Sequence, residues 1–150
     1  MAYAIRHLAG PDVAVLKRLL RTFGDAFGEP ETYQGAVPSD DYLRTLLEKP
    51  TFVALAALDG EEVVGGLAAY VLDKFERERS EVYVYDLAVA EAHRRHGIAR
   101  GLIEALKPIA RARAAWVIYI QADRCDAAAI ALYASLGRRE DVHHFDIPVD

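Results

Sequence analysis

A carboxylate set inside an apolar strand is the first chemically telling feature of this chain. Asp86 interrupts Tyr83-Val-Tyr-Asp-Leu-Ala-Val89, and a charge buried there is costly without a partner. A cationic amine would be that partner. A few residues on comes Arg94-Arg95-His96-Gly97-Ile98-Ala99. Gly97 has no Cβ and Ala99 a minimal one, so backbone amides can approach a ligand closely. Free N–H groups and the positive end of a following helix would face that ligand, and the expected guest is a phosphate.

Charge supports two ligands of opposite sign. Between His93 and Arg113 the chain carries Arg94, Arg95, Arg100, Lys107, Arg111 and Arg113 against Glu104 alone, which makes this stretch +5 in a protein of net charge −5. The remainder is therefore −10. An acidic balance argues against a general nucleic-acid or anionic-membrane role, since phosphate neutralisation needs clustered basic side chains. A single basic patch suits one cofactor, and an acidic cleft suits a cation.

The elements that must position these groups follow from periodicity. Glu81 to Val89 alternates β-branched and aromatic residues and reads as a central strand. After it, Arg100, Glu104, Lys107 and Arg111 fall at helical spacing opposite Ile98, Leu102, Leu106 and Ile109, a helix lying on a sheet. Upstream, Tyr3 to Leu8 reads as a first strand, and Gly10-Pro11-Asp12 opens a helix with the stripe Val13, Leu16, Leu20 and Phe23. Gly24 to Pro38 reads as a loop with the character of a lid; its Glu29, Glu31 and Tyr33 are candidates to approach a substrate. Ser39 is positioned as an N-cap with Asp40 and Asp41 in the first turn, a capping role that accounts for both acids. Thr51 to Leu58 and Val63 to Phe75 read as strands joined through Asp59-Gly60. Trp116 to Ala122 reads as a buried strand, parallel to the central one because a helix separates them. Asp126 caps a short helix closing at Gly137, and Arg139 to Ile147 reads as a last strand.

These 150 residues suit one domain, residues 1–150, with 53% hydrophobic and 27% charged content. No apolar run reaches membrane-spanning length. The N-terminus lacks the apolar core of a signal peptide, and the single cysteine, Cys125, makes no internal disulfide. A cytoplasmic location is expected.

The pattern Arg94-x-x-Gly97-x-Ala99 after a strand resembles the acyl-CoA signature of the GNAT superfamily of N-acetyltransferases. The resemblance extends further. Ser80 to Val89, His93 to Ala99, Val117 to Asp123, His144-Phe-Asp-Ile147, Thr51 to Ala57 and Leu67 to Val71 look like the type I aminoglycoside 3-N-acetyltransferases. It implies an α/β (α+β) fold: a mixed, mostly antiparallel twisted sheet with helices on both faces and a splayed parallel strand pair at the CoA site.

By the same resemblance, the central strand bulges and the backbone of Leu87, Ala88 and Val89 borders the pantetheine arm of acetyl-CoA. An amide near Val89 would face the developing oxyanion. Arg94, Arg95, His96, Gly97, Ile98, Ala99 and Arg100 would hold the pyrophosphate. Asp126-x-x-Ala129-x-x-Leu132-Tyr133 resembles the superfamily's Asn-x-x-Ala-x-x-Leu-Tyr segment, with Asp126 departing from Asn. That places Asp126 and Ala129 at the cofactor and Tyr133 near the thioester sulfur, where its phenol could hydrogen-bond the leaving thiolate. Packing on the sheet is the plainer reading of Tyr133. A covalent route through Cys125 lacks an activating partner.

Asp86 would orient the acceptor amine. An amine of reference pKa ~8 opposite a carboxylate of ~3.9 leaves proton transfer roughly 5 to 6 kcal/mol uphill, so Asp86 acts as a base only if its pKa is raised. Asp123, Glu140, Asp141 and Asp146 would border the same cleft, with Glu29 and Tyr33 reaching in from the loop. His143 and His144 point to opposite faces of a strand, and no metal is expected.

The activity implied is acetyl transfer from acetyl-CoA to the 3-amino group of a 2-deoxystreptamine aminoglycoside such as gentamicin, giving resistance, by direct attack in a ternary complex. Two alternatives stay open: an acetyltransferase for polyamines or other small amines, and a non-catalytic acyl-CoA-binding module. A homodimer is expected from the family.

Overall fold

The computed structural model describes residues 2–150. Five strands form one sheet in the order β1-β2-β3-β4-β5: Ala4–His7, Phe52–Asp59, Glu62–Asp73, Ser80–Val89 and Ala115–Ile120. β1 to β4 pair antiparallel, and β4 pairs with β5 in parallel. The parallel pair follows from the helix between them, α4 (Ile98–Ala112), which carries the chain back to the starting end of the sheet. Helices α1 (Val13–Phe27), α2 (Pro30–Gln34) and α3 (Asp40–Glu48) precede the central strands, and α5 (Ala127–Leu136) follows β5.

Alternation along the strands divides the apolar residues into two cores. On one face Val13, Leu16, Leu19 and Phe23 of α1 and Leu43 and Leu47 of α3 pack on Ala54, Ala56 and Ala88. On the other, Ile98, Leu102 and Leu106 of α4 cover Val53, Leu55, Val82 and Val84. This is the mixed sheet with helices on both faces that the resemblance implied. Ser39 caps α3 by accepting from the Tyr42 amide, and Asp126 caps α5 by accepting from the Ala129 amide.

Three expectations are corrected. The loop expected from Gly24 to Pro38 is largely helical: α1 continues to Phe27, and Pro30, at the first helical position, starts α2. The strand expected to be buried at Trp116 is the outermost strand, none of its residues is fully buried, and Trp116 is exposed, its indole donating to Glu81. No last strand forms over Arg139 to Ile147: among the described residues this segment is exposed and pairs with none of the five strands.

Candidate active site

The site begins where β4 changes its pairing. Toward β3, Ala68 faces Asp86 while Ala69 faces Val84, so Tyr85 is an extra residue on β4. Such a bulge re-aims the side chains beside it. Toward β5, the pairing stops at Val84 and Ile120, because β5 ends there and the chain turns away. The rest of β4, including Leu87, Ala88 and Val89, continues with no strand on that side. The two parallel strands therefore part, leaving backbone N–H and C=O groups facing a gap.

Asp86 lies at the head of this gap, half-buried, on the sheet face shared with α1. The Tyr33 hydroxyl donates to its Oδ1 at 2.9 Å. Burial raises the Asp86 carboxyl above the usual range; the Tyr33 hydrogen bond opposes that shift, and the Glu29 carboxylate adds to it. Burial first, and then the bond to Asp86, push the Tyr33 phenol well up, so it stays a donor. Asp86 is thus nearer to base strength than an exposed aspartate.

Tyr33 reaches Asp86 because α2 folds back on α1. Gly28 ends α1 in the left-handed conformation at φ 66°, and a Cβ on Gly24 would press on the Cβ of Tyr33 at 3.3 Å and on Pro30 Cα at 3.4 Å. The Tyr33 ring then packs with Phe23 and Phe27 at centroid distances of 5.9 and 5.6 Å. Gly24, Gly28 and Pro30 carry the signal for this fold-back, although the same residue types also suit a loop. Beyond Asp86 a row of aromatic rings lies open. Tyr70 and Tyr85 meet edge to face, Tyr83 meets Tyr85 likewise, and Tyr83 stacks on Tyr119 at 4.7 Å.

The turn before α4 supplies the second half. Arg95 and Gly97 both take left-handed backbone angles, φ 67° and 73°. A Cβ on Gly97 would meet nothing within 4 Å, so the demand for glycine there is conformational and not spatial. Ile98, buried, anchors the helix start beneath the exposed turn. The first N–H groups of α4 lie at this turn without intrahelical acceptors, a fit for a pyrophosphate. Arg94 donates from Nε to the Val89 carbonyl at 3.2 Å, tying the turn to the end of β4, and Arg100 reaches Ser135 of α5 at 2.8 Å. His96 and Ala99 complete the turn between them.

One support of this turn escaped sequence reasoning. The Tyr3 hydroxyl donates to the Gly97 carbonyl at 3.2 Å, and a Cβ on Gly101 would lie 2.5 Å from that hydroxyl oxygen. A glycine inside a helix was the available clue; its partner lies 98 positions away in sequence, beyond any local pattern.

Tyr133 sits half-buried on α5, the helix capped by Asp126, with Ala129 in its first turn. Burial, and then the Asp126 carboxylate, push its phenol up to about 12, so it is protonated at neutral pH and able to donate. The remaining acids are not gathered around Asp86 within this chain. Asp123 is exposed in the turn before α5, Glu140 faces Arg138 at 3.8 Å, and Asp146 binds His144 at 2.8 Å on an exposed segment. Asp141 pairs with Arg139. Among the described residues no three His, Cys, Asp or Glu side chains form a group able to hold a metal ion, and no helix is long and apolar enough to cross a membrane.

Comparison with known proteins agrees with this fold. The acetyltransferase (GNAT) family model matches residues 15–137. Aminoglycoside acetyltransferase HMB0005, from an uncultured soil metagenomic sample, is 56% identical, superposes with a TM-score of 0.97, and the match covers all of both chains. Aminoglycoside acetyltransferase meta-AAC0020, also from an uncultured soil metagenomic sample, is 31% identical over 99% of this chain and 97% of its own, with a TM-score of 0.89. It has been crystallised with sisomicin. N-acetyltransferase 8B of Rattus norvegicus is 27% identical over 89 residues, a match that spans 59% of this chain and only 40% of the rat protein.

Proposed function

Since this chain belongs to the GNAT family of acetyltransferases, we propose that it transfers the acetyl group of acetyl-CoA to the 3-amino group of a 2-deoxystreptamine aminoglycoside of the gentamicin type. The observation that carries the reading is Asp86: a half-buried carboxylate, raised by burial, placed where β4 parts from β5 and held by Tyr33. A carboxylate so placed suits a polycationic amine. The likeness to two aminoglycoside acetyltransferases, one of them bound to sisomicin, supports that acceptor class.

Acetyl-CoA supplies the activated acyl carbon and a thiolate leaving group. Its pyrophosphate is assigned to the turn Arg94 to Arg100 and its pantetheine arm to the edge of Leu87, Ala88 and Val89 that β5 leaves unpaired. Asp86 orients the acceptor amine through one oxygen while Tyr33 holds the other. As the new N–C bond forms and the C–S bond breaks, the amine proton passes to Asp86 or to water, and burial lowers the cost of the first route. The Tyr133 phenol donates to the departing thiolate sulfur, with Asp126 and Ala129 setting the helix that carries it. A backbone amide near Val89 faces the oxyanion. Glu29 adds negative charge at the acceptor side. Most of the rate comes from holding the reactants together in one ternary complex.

Acetylation removes a positive charge from the drug and would confer resistance; the enzyme would act in the cytoplasm, where acetyl-CoA is at hand, as a homodimer. The test is thiol release from acetyl-CoA with gentamicin, sisomicin, spermidine or no acceptor. Fast release with the aminoglycosides, lost in Asp86→Ala, and a product acetylated at the 3-amino group by NMR, is the expected result. Preference for spermidine would move the acceptor to polyamines, and binding of acetyl-CoA without turnover would leave a non-catalytic module.

A further inference from the structure

The strand register sets four aromatic residues side by side across the sheet. Phe52 of β2 faces Tyr70 of β3, Tyr70 faces Tyr83 of β4, and Tyr83 faces Tyr119 of β5. At a strand spacing of ~4.8 Å this rung is roughly 14 Å long. Phe52 is buried at one end, while Tyr70 is 41% and Tyr119 37% exposed. Tyr85 joins the rung from above: its ring meets Tyr70 at 6.2 Å and Tyr83 at 5.5 Å, edge to face in both cases, and is itself 63% exposed.

Regular alternation after Tyr83 would turn Asp86 toward the α4 core. The extra residue in β4 turns it instead to the side of Tyr83 and Tyr85, where Tyr33 meets it. The bulge thus sets a carboxylate and an open aromatic row on one face. Rings left open in a contiguous row mark a binding surface. Burial above all holds the Tyr70, Tyr83 and Tyr119 phenols above their usual range, so the row is uncharged at neutral pH. Neutral π faces attract cations and C–H groups polarised by a neighbouring ammonium. An aminocyclitol or aminosugar ring offers both, because equatorial ammonium and hydroxyl groups leave a flat face of axial C–H bonds. A linear polyamine has the ammonium groups and no such face.

We propose that Tyr85 and the rung of Tyr70, Tyr83 and Tyr119 form a stacking platform for the rings of the acceptor, and that Tyr85 selects ring-bearing polycations over linear ones. Asp86 takes the ammonium of the reacting ring, Tyr85 packs on the C–H face of that ring, and further linked rings lie along the row toward Tyr119. Because Tyr119 stands on the outermost strand, it serves acceptors of more than one ring. Selectivity here is a difference of affinities, set by a face that one class of amine has and the other lacks. The identity of the acceptor rests on the proposed activity; the platform rests on the register and the bulge.

The test compares Tyr85→Leu, Tyr85→Phe and Tyr119→Leu with wild type in steady-state kinetics on gentamicin, 2-deoxystreptamine and spermidine. Tyr85→Leu should raise the gentamicin KM about tenfold, the loss of one cation–π or stacking contact, with a smaller change in kcat. Tyr85→Phe keeps the ring and should bring KM back near the wild-type value. The spermidine KM should move less, so that the preference for gentamicin narrows. Tyr119→Leu should raise KM for gentamicin more than for the single ring of 2-deoxystreptamine. A loss in Tyr85→Phe as large as in Tyr85→Leu, or an equal loss with spermidine, overturns the stacking. Equal effects of Tyr119→Leu on the single-ring and multi-ring acceptors overturn the extended row. If wild type acetylates no aminoglycoside, the proposed function falls, and calorimetry of gentamicin with wild type and Tyr85→Leu decides the platform. Binding about tenfold weaker in the variant upholds it, and equal binding, or none by wild type, overturns it.

Discussion

The region around Asp86 and the region around Tyr133 are finished to different degrees. Around Asp86 the chain completes its own surroundings: Tyr33 donates to the carboxylate, and Phe23 and Phe27 pack behind Tyr33. Around Tyr133 it does not, since α5 has no buried residue and β5 has an open edge. Where one chain supplies the burial, the charge state of a functional group is set locally. Where it does not, helix position depends on a few polar links, Arg100 to Ser135 and the Asp126 cap among them.

The largest effect expected is at the finished side. Asp86→Ala should lower aminoglycoside acetylation by roughly 10²- to 10⁴-fold, the range for losing a positioned acid–base group. Acetyl-CoA affinity by calorimetry should stay within a few-fold, because the turn before α4 is a separate element. A comparable loss of acetyl-CoA binding would break the division into two sides.

Next comes the turn itself. Gly97→Val must adopt φ 73° with a β-branched side chain, a strain of at least ~1–2 kcal/mol, and should weaken acetyl-CoA binding about tenfold or more. Arg95→Ala, whose parent residue also has positive φ, should cost less because it removes a side chain and keeps the backbone of the turn. Equal affinities would show that the side-chain charge and not the turn governs binding.

Tyr33→Phe sharpens the electrostatic half of the comparison. The hydrogen bond from Tyr33 favours ionised Asp86, so its removal should raise the Asp86 pKa further. The acid limb of kcat/KM should then move to higher pH, with a several-fold loss of rate at neutral pH. An unmoved limb would mean that Asp86 is not the group titrating.

A stability measurement tests the same burial independently. The folded-state pKa of Asp86 is raised above its unfolded value, so folding favours the protonated form. The stabilisation is fully present below the unfolded pKa and is lost as pH rises through the folded pKa. Asp86→Asn keeps an acceptor for Tyr33 and carries no charge. It should therefore melt above wild type at pH 7, with the difference shrinking as pH falls toward 4. On the unfinished side, Asp126→Ala removes the α5 cap and should cost about 1 kcal/mol. Because α5 buries so little, its amides should exchange faster by hydrogen–deuterium exchange than those of α4.

Much of the fold was legible because alternation and helical spacing are local. Glu81 to Val89 reads as a strand and Ile98 to Arg113 as a helix from the positions of apolar residues alone, and the glycine turn between them follows from residue type. The resemblance carried by Arg94-x-x-Gly97-x-Ala99 pointed to the family and to the splayed pair. What local pattern missed was the identity of partners. Tyr33 lay in what read as a loop, since its meeting with Asp86 depends on α2 folding back through Gly24 and Gly28. The tail from Arg139 to Ile147 carried strand patterning, yet a strand forms only where another strand accepts its hydrogen bonds.

Sequence by itself determined the strand from Glu81 to Val89 and the helix after Gly97, the basic turn inside an acidic chain, and the presence of a carboxylate in an apolar strand. Tertiary structure alone decided that Asp86 has a raised pKa, that Tyr33 holds it, that Tyr3 braces Gly97, and that β5 ends the sheet. The reason is physical. Periodicity records which side of an element shuns water, whereas desolvation and hydrogen bonding depend on atoms brought close from distant positions in the chain.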